Sequence, residues 1–424
     1  MKPSAKTKAL FVQVLQDISP QEDTRKKVLP LVKEFLSQLN AQLKKQKLHA
    51  KAVLGGSYAK DTWLEGDYDV DIFVLFDLRH KNQDLSNMLH TALEAWHPIR
   101  IRGSRDYFHL KNEVLYEIIP ALAIKKSQDA ENTTDFSSKH VAWVQQHAAN
   151  LTDDIRLFKK FCKANRVYGA ESYIKGISGH VADLLIIKYK GFWKALSAIA
   201  QWKPKVIIDI NKTHAINPLL VLNTNKTQGP LVVIDPVQPE RNAAAAVSKE
   251  TFDALVIAAK KFIQKPAKSF FEEKILNLDA LAKKGELMVV SCTPLKDPQD
   301  IAGTKMLKAF EYLGQQLEEF GVRDSGWEWN GKEKALWWYV LRKNQLPVTQ
   351  EIQGPPLRLS EHVVKFKKAH PDNFIKKIKG EQVVWARVKR AVTTPEKRVQ
   401  LIIKEAYICN RVLSCKLCKL QPKH

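Results

Sequence analysis

Cysteine is scarce in this chain: five in 424 residues. An odd, sparse set cannot frame a disulfide-stapled scaffold and points to a reducing compartment, so a cytoplasmic protein is expected. No apolar run approaches about 18 residues, which excludes a conventional transmembrane helix. The first residues, MKPSAKTKALFVQVLQDIS, lack an apolar core followed by a small-residue cleavage site, so no signal peptide is expected. Internal repeats and low-complexity segments are missing too. Acidic residues are outnumbered, 45 against 68 Lys and Arg, for a net charge of +23. Such an excess attracts polyanions, and nucleic acid is the commonest large one. A membrane surface competes for the same charge, but here the basic residues are spread along the whole chain instead of clustering.

Hydrophobic residues at 45% and charged residues at 27% are ordinary for a globular protein. The length suits about two to four domains. Three of the cysteines crowd the end, Cys409, Cys415 and Cys418, with His424 last. These are zinc-ligand types. A second paired motif is missing and a terminal histidine is poorly held, so reduced thiols on or beside a helix are the expectation.

The stretch that carries chemistry runs from Val53 to Phe76, VLGGSYAKDTWLEGDYDVDIFVLF. A short strand ends at Leu54, and Gly55, Gly56 and Ser57 follow. A helix-like segment from Tyr58 to Trp63 precedes a turn at Gly66. A second strand then carries Asp69 and Asp71 into an apolar run. Residues i and i+2 of a strand share a face, so the two carboxylates project together and repel unless a cation lies between them. Carboxylate oxygens suit Mg2+, with substrate phosphates completing its shell. The glycines let backbone approach a ligand, and free N–H groups at a helix start suit an anion. A phosphate cradle and a metal platform in this order are more specific than either alone.

Elsewhere, residues 1–47 read as helical, with Ser19, Pro20 and Glu22 forming a capping box. Asn82 to Trp96 reads as a helix. Val114 to Pro120 reads as a strand in which Glu117 is a carboxylate among apolar residues, a costly place without a partner. An amphipathic helix bears Ile155, Leu157, Phe158 and Phe161 beside Lys159 and Lys160. A strand ending at Asp235 leads through a loop to an alanine-rich helix start. Beyond residue 251, helices interleave with strands around Trp327, Trp329, Trp337 and Trp338. These tryptophans read first as core and second as stacking platforms for bases.

The order Gly-Ser, helix, Asp-x-Asp strand resembles the nucleotidyltransferase superfamily that includes DNA polymerase β and poly(A) polymerases. The fuller string resembles the archaeal-type (class I) CCA-adding enzymes, the tRNA nucleotidyltransferases. The block from Asp153 to Trp193 and the Asp-Pro…Arg-Asn-Ala-Ala pattern carry the same resemblance. It implies an α+β chain: a polymerase-β-like nucleotidyltransferase head (1–150), a mainly helical central neck (151–270), and an α+β, RRM-like body and tail that bind tRNA (271–424). It implies Asp69, Asp71 and Glu117 as catalytic residues and ligands of two Mg2+ ions, with Glu117 where the family usually has Asp. Gly56, Ser57 and Lys60 are implied at the phosphates, with Lys60 where the family tends to have Arg. The resemblance further implies that His140, Lys159 and Tyr168 complete the nucleotide pocket and that Arg241 helps select the base. The substrates implied are CTP, ATP and the acceptor stem and 3′ end of tRNA, with a homodimer left open. A poly(A) polymerase or oligoadenylate synthetase-like transferase, and a non-catalytic basic RNA-binding protein of the same fold, are the alternatives.

Overall fold

The computed structural model describes residues 2–213, 218–331, 333–378 and 380–418. The chain divides into two compact units, Met1–Ile275 and Leu276–His424.

In the first unit, helices α1 (Ala5–Ile18) and α2 (Glu22–Lys45) precede β1 (Ala50–Leu54), a single turn α3 (Gly56–Ala59), β2 (Asp69–Phe76), α4 (Leu85–Leu93), β3 (Ile99–Ile101), β4 (Tyr107–Lys111) and β5 (Leu115–Leu122). The strands form one sheet in the order β1-β2-β5-β4-β3, in which β2 and β5 run parallel. Strict alternation gives this sheet two unlike faces. Val70, Ile72, Val74 and Phe76 of β2, with Tyr116, Ile118 and Leu122 of β5, pack under Val32, Phe35 and Leu39 of α2 and Leu89 and Leu93 of α4. Each such side chain contributes about 1.5–3 kcal/mol when fully buried. Asp69, Asp71 and Glu117 fall on the opposite parity, so covering one face fixes which residues remain on the other.

Two local expectations are corrected. The capping box does not form. Ser19 ends α1, and Gln21 precedes α2 with no side-chain cap. The start of α2 is tied down from a distance instead: Glu65 accepts from the Gln21 N–H at 2.9 Å and from the Thr24 hydroxyl at 2.8 Å. The helical segment after Ser57 is one turn only. Asp61 takes a left-handed backbone (φ 49°), and Trp63 folds back to stack on Tyr58 at 4.5 Å.

The remainder of this unit comprises α5 (Ser137–His147), α6 (Thr152–Ala164), α7 (Gly179–Tyr189), α8 (Phe192–Ile199), β6 (Val206–Asp209), a single turn α9 (Pro218–Val221), β7 (Leu231–Ile234) and α10 (Lys249–Gln264). Phe158, Phe161, Leu184, Phe192, Leu255 and Phe262 belong to a second core, which also takes Val14 and Ile18 of α1. The alanine-rich segment 241–247 is a run of turns, not a helix start. Helix α10 begins later, where the Ser248 hydroxyl accepts from the Thr251 N–H at 3.2 Å.

The second unit contains α11 (Leu278–Ala282), β8 (Glu286–Thr293), α12 (Gln299–Gln316), β9 (Val322–Glu328), β10 (Ala335–Leu341), β11 (Thr349–Pro356), α13 (Ser360–Ala369), β12 (Asn373–Ile378), β13 (Glu381–Lys389), α14 (Pro395–Ile402), α15 (Ala406–Cys409) and β14 (Ser414–Leu417). The sheet order β14-β8-β10-β9, with α12 and α14 as crossovers, is the RRM-like βαββαβ arrangement. A separate sheet, β11-β13-β12, is inserted between β10 and α14. Trp337 joins the core beneath α12, whereas Trp338 packs with Leu276, Leu278 and Leu281 on the other side of β10. Both tryptophans are core.

The cysteine expectation is also corrected. Cys292 and Cys415 are opposed in the β8–β14 ladder, with Cα atoms 4.3 Å apart, and form a disulfide. That separation belongs to a non-hydrogen-bonded antiparallel pair, which brings side chains close. Cys409 and Cys418 are free. Cys415 is thereby removed from any terminal thiol set, and His424 lies outside the described residues.

Candidate active site

The register of the parallel pair sets Asp71 beside Glu117, with Asp69 two residues earlier on the same face. On the far side of β5, His109 of β4 stands opposite Glu117, and its Nε2 lies 3.1 Å from Glu117 Oε1. Glu117 is not buried, as an apolar strand suggested; its side chain is 33% exposed, because the residue faces away from α2 and α4. Burial pushes the Asp71 carboxyl up to about 6, and the neighbouring Glu117 and Asp69 charges add to the rise while Lys60 opposes it. Carboxylates crowded on one face raise each other's proton affinity until a cation neutralises them. This all-oxygen donor set fits Mg2+.

The glycines meet this face directly. The Gly55 N–H donates to the Asp71 carbonyl at 2.8 Å. Gly56 has φ +51°, and a Cβ there would lie 1.6 Å from Asp71 Oδ2. Glycine is thus required for conformation and for space at once. Ser57 sits beside it in α3.

The cations of this region are differently placed. Lys60 Nζ lies 2.5 Å from Asp183 Oδ2 of α7, a fully buried carboxylate. Lys159 is buried and donates to the Thr62 carbonyl at 3.1 Å and its hydroxyl at 3.0 Å. Burial pulls its ammonium down to about 8, against the attraction of Asp183. Lys160, next on the helix, lines a separate cavity of about 560 Å³ with Lys163, Lys268 and Asp67. Tyr168 packs where the absence of a side chain on Gly179 admits its hydroxyl; a Cβ there would stand 3.0 Å away. Burial raises the pKa of that hydroxyl.

His140 and Arg241 converge on a residue that had no assigned role, Asp235. Its fully buried carboxylate takes His140 Nε2 at 2.9 Å, Arg241 Nη1 at 2.9 Å and the N–H groups of Val237 and Gln238 at 3.0 and 3.2 Å. His180 Nε2, at 3.4 Å, is within ion-pair range but makes no well-aligned hydrogen bond. One donor atom each from His140, His180 and Asp235 lie within 4.8 Å of one another. Nitrogen ligands suit zinc better than Mg2+, and a carboxylate already holding a guanidinium and two amides has little left for an ion. The cluster is a hydrogen-bonded hub. Spacing alone could not link His180, Asp183 or His109 to the site, because their partners lie on other elements.

A carboxylate face on this five-stranded sheet, edged by a Gly-Gly-Ser loop, defines a nucleotidyltransferase of the polymerase-β kind. The family model "Nucleotidyltransferase domain" matches residues 36–207, and "tRNA nucleotidyltransferase, second domain" matches residues 153–272. The CCA-adding enzyme of Nanoarchaeum equitans is 35% identical over 338 residues, covering 76% of this chain and 80% of that protein. The CCA-adding enzyme of Saccharolobus islandicus is 30% identical over 73% of this chain and 72% of its own. That of Pyrococcus abyssi is 29% identical over 85% and 82%. The chain belongs to the CCA-adding enzyme family.

Proposed function

We propose that the protein adds CCA to the 3′ end of tRNA from CTP and ATP, without a nucleic-acid template, in the cytoplasm. Residues 1–150 act as the catalytic head, 151–270 as the neck, and 271–424 as the body and tail that hold tRNA. The observation that carries this reading is the in-register Asp71–Glu117 pair on the sheet face opposite α2 and α4, beside Gly56.

Asp69, Asp71 and Glu117 would hold two Mg2+ ions, which would supply acidification of the tRNA 3′-hydroxyl and neutralisation of phosphate charge. The 3′-oxygen forms a bond to the α-phosphorus in line, the bond from that phosphorus to the α,β-bridging oxygen breaks so that pyrophosphate departs, and the hydroxyl proton passes to solvent. Gly56 and Ser57 present backbone N–H groups to the terminal phosphates. Lys60, Lys159, His140 and Tyr168 orient the triphosphate. Arg241, held by Asp235, offers paired donors to the base edge. The basic excess grips tRNA through phosphates, so affinity falls steeply with salt. Recognition by the shape of an A-form stem suits substrates that share form more than sequence.

The test is to supply tRNA lacking its 3′ CCA with CTP, ATP and Mg2+ and sequence the product ends. Ends completed to CCA are expected. Open-ended addition of A alone would point to a poly(A) polymerase-like transferase. Binding without incorporation would point to a non-catalytic RNA binder.

A further inference from the structure

Of the three carboxylates on the sheet face, Glu117 is the odd one. Asp69 and Asp71 have short side chains set by the rigid strand β2. Glu117 stands level with Asp71 on the parallel neighbour but carries one more methylene and one more rotatable bond. Left alone, its carboxylate would sweep a larger volume than an aspartate's.

It is not left alone. His109 is its direct partner across the β4–β5 ladder, with Nε2 3.1 Å from Oε1. The imidazole is itself held: the Tyr107 ring, on the same face of β4, packs edge-on against it at 5.4 Å. His109 and Glu117 side chains are 25% and 33% exposed, so this line of contacts is reached by solvent and is not sunk in the core.

We propose that His109 is a positioning residue for the metal site. Its Nε2–H donates to Glu117 Oε1 and fixes the longer carboxylate in the orientation in which it joins Asp69 and Asp71. Hydrogen bonds to carboxylate ligands tune metal affinity, typically by about 10–100-fold when lost. The inference rests on the metal-site reading of the three carboxylates.

The test uses the full-length chain and Mn2+, a carboxylate-seeking ion visible by electron paramagnetic resonance, with affinity measured in the absence of turnover. His109→Phe keeps a ring and strand propensity but no donor, and Mn2+ affinity is expected to fall about 10-fold. His109→Gln keeps a donor and is expected to recover most of it. In a Glu117→Asp background the shorter side chain does not reach His109, so His109→Phe should cost nothing further. An equal loss in both backgrounds would make His109 a general structural residue and overturn the inference, as would unchanged affinity in His109→Phe. Glu117→Ala separates the two levels: if it leaves Mn2+ binding intact, the metal-site reading itself fails, whatever His109 does.

Discussion

His140 Nε2 of α5 lies 2.9 Å from the carboxylate of Asp235, 95 residues further along the chain. Arg241 shares that carboxylate. One buried anion therefore holds together a residue assigned to the triphosphate and a residue assigned to the base. Burial favours the neutral acid, but the His140 hydrogen bond and the His180 imidazole close by prevail and keep Asp235 ionised far below the usual aspartate range. Its contribution to stability is present at neutral pH and is lost only as pH falls through that depressed value.

Asp235→Asn preserves shape while removing the charge. The expected result is a destabilisation of about 3–5 kcal/mol, the range for a broken buried pair. Discrimination among CTP, ATP, UTP and GTP is expected to fall together with it. Denaturant unfolding and kcat/KM for each nucleotide check both parts. Full stability with normal nucleotide choice would mean that Asp235 organises nothing.

Lys60 and Asp183 make a second buried pair. Among the described residues Asp183 Oδ1 is buried without a hydrogen-bond partner, and Lys60 is the cation in direct contact with this carboxylate. Lys60→Met should destabilise by about 3–5 kcal/mol, because an unpaired buried charge remains. Adding Asp183→Leu should return much of that stability. Activity should stay low in both, since the positive charge near Asp71 is missing. Urea unfolding and nucleotide incorporation, measured in parallel, distinguish the two effects.

The elements that position the site were legible in the sequence for a simple reason. Periodicity reports which face of an element is apolar. It therefore located β2, β5 and α6 and put Asp69 and Asp71 on one face of β2, whereas Glu117 was joined to them by the family resemblance alone. It does not report partners. Lys60 with Asp183, His109 with Glu117, and Cys292 with Cys415 are each decided by which strands or helices become neighbours. The capping of α2 by Glu65 was hidden for the same reason: a local Ser19–Pro20–Glu22 signal was overridden by a side chain from a distant turn. The insert β11–β13 carries a weak pattern in its outer strands. TQEIQGPP and NFIKKI interrupt their apolar residues with glycine, proline and lysine, and α13 packs on β11.

Lys159 should give nucleotide binding a pH dependence. Burial pulls its ammonium down to about 8, so the charge proposed to act on phosphate is present at pH 7 and largely gone by pH 9. KM for CTP is expected to rise several-fold across that interval in the native protein. In Lys159→Met it should be high throughout and flat over the same range. Stability moves the other way. Between about 8 and the ordinary lysine value of 10.5 the unfolded chain binds the proton and the folded one does not, so burial of this side chain becomes less costly as pH rises. A KM that stayed flat in the native protein would remove Lys159 from the phosphate site.

Gly56 and Gly66 both have positive φ, +51° and +86°, but only Gly56 is crowded: a Cβ at Gly66 meets nothing within 4 Å. Gly66→Ala therefore carries conformational strain alone, about 1 kcal/mol, and should leave incorporation near normal. Gly56→Ala carries the same strain and drives a methyl group into Asp71 Oδ2. Asp71 cannot retreat along β2 without breaking its register with Glu117, so its carboxylate must rotate off the shared face. The expected outcome is a loss of incorporation of about 100-fold or more, the scale of a misplaced reacting group, with tRNA binding retained. Gel-shift affinity and single-nucleotide incorporation for both variants provide the check. Comparable activity in the two would show that the approach of Gly56 to Asp71 is packing alone, and the phosphate cradle would have to be sought elsewhere on the loop.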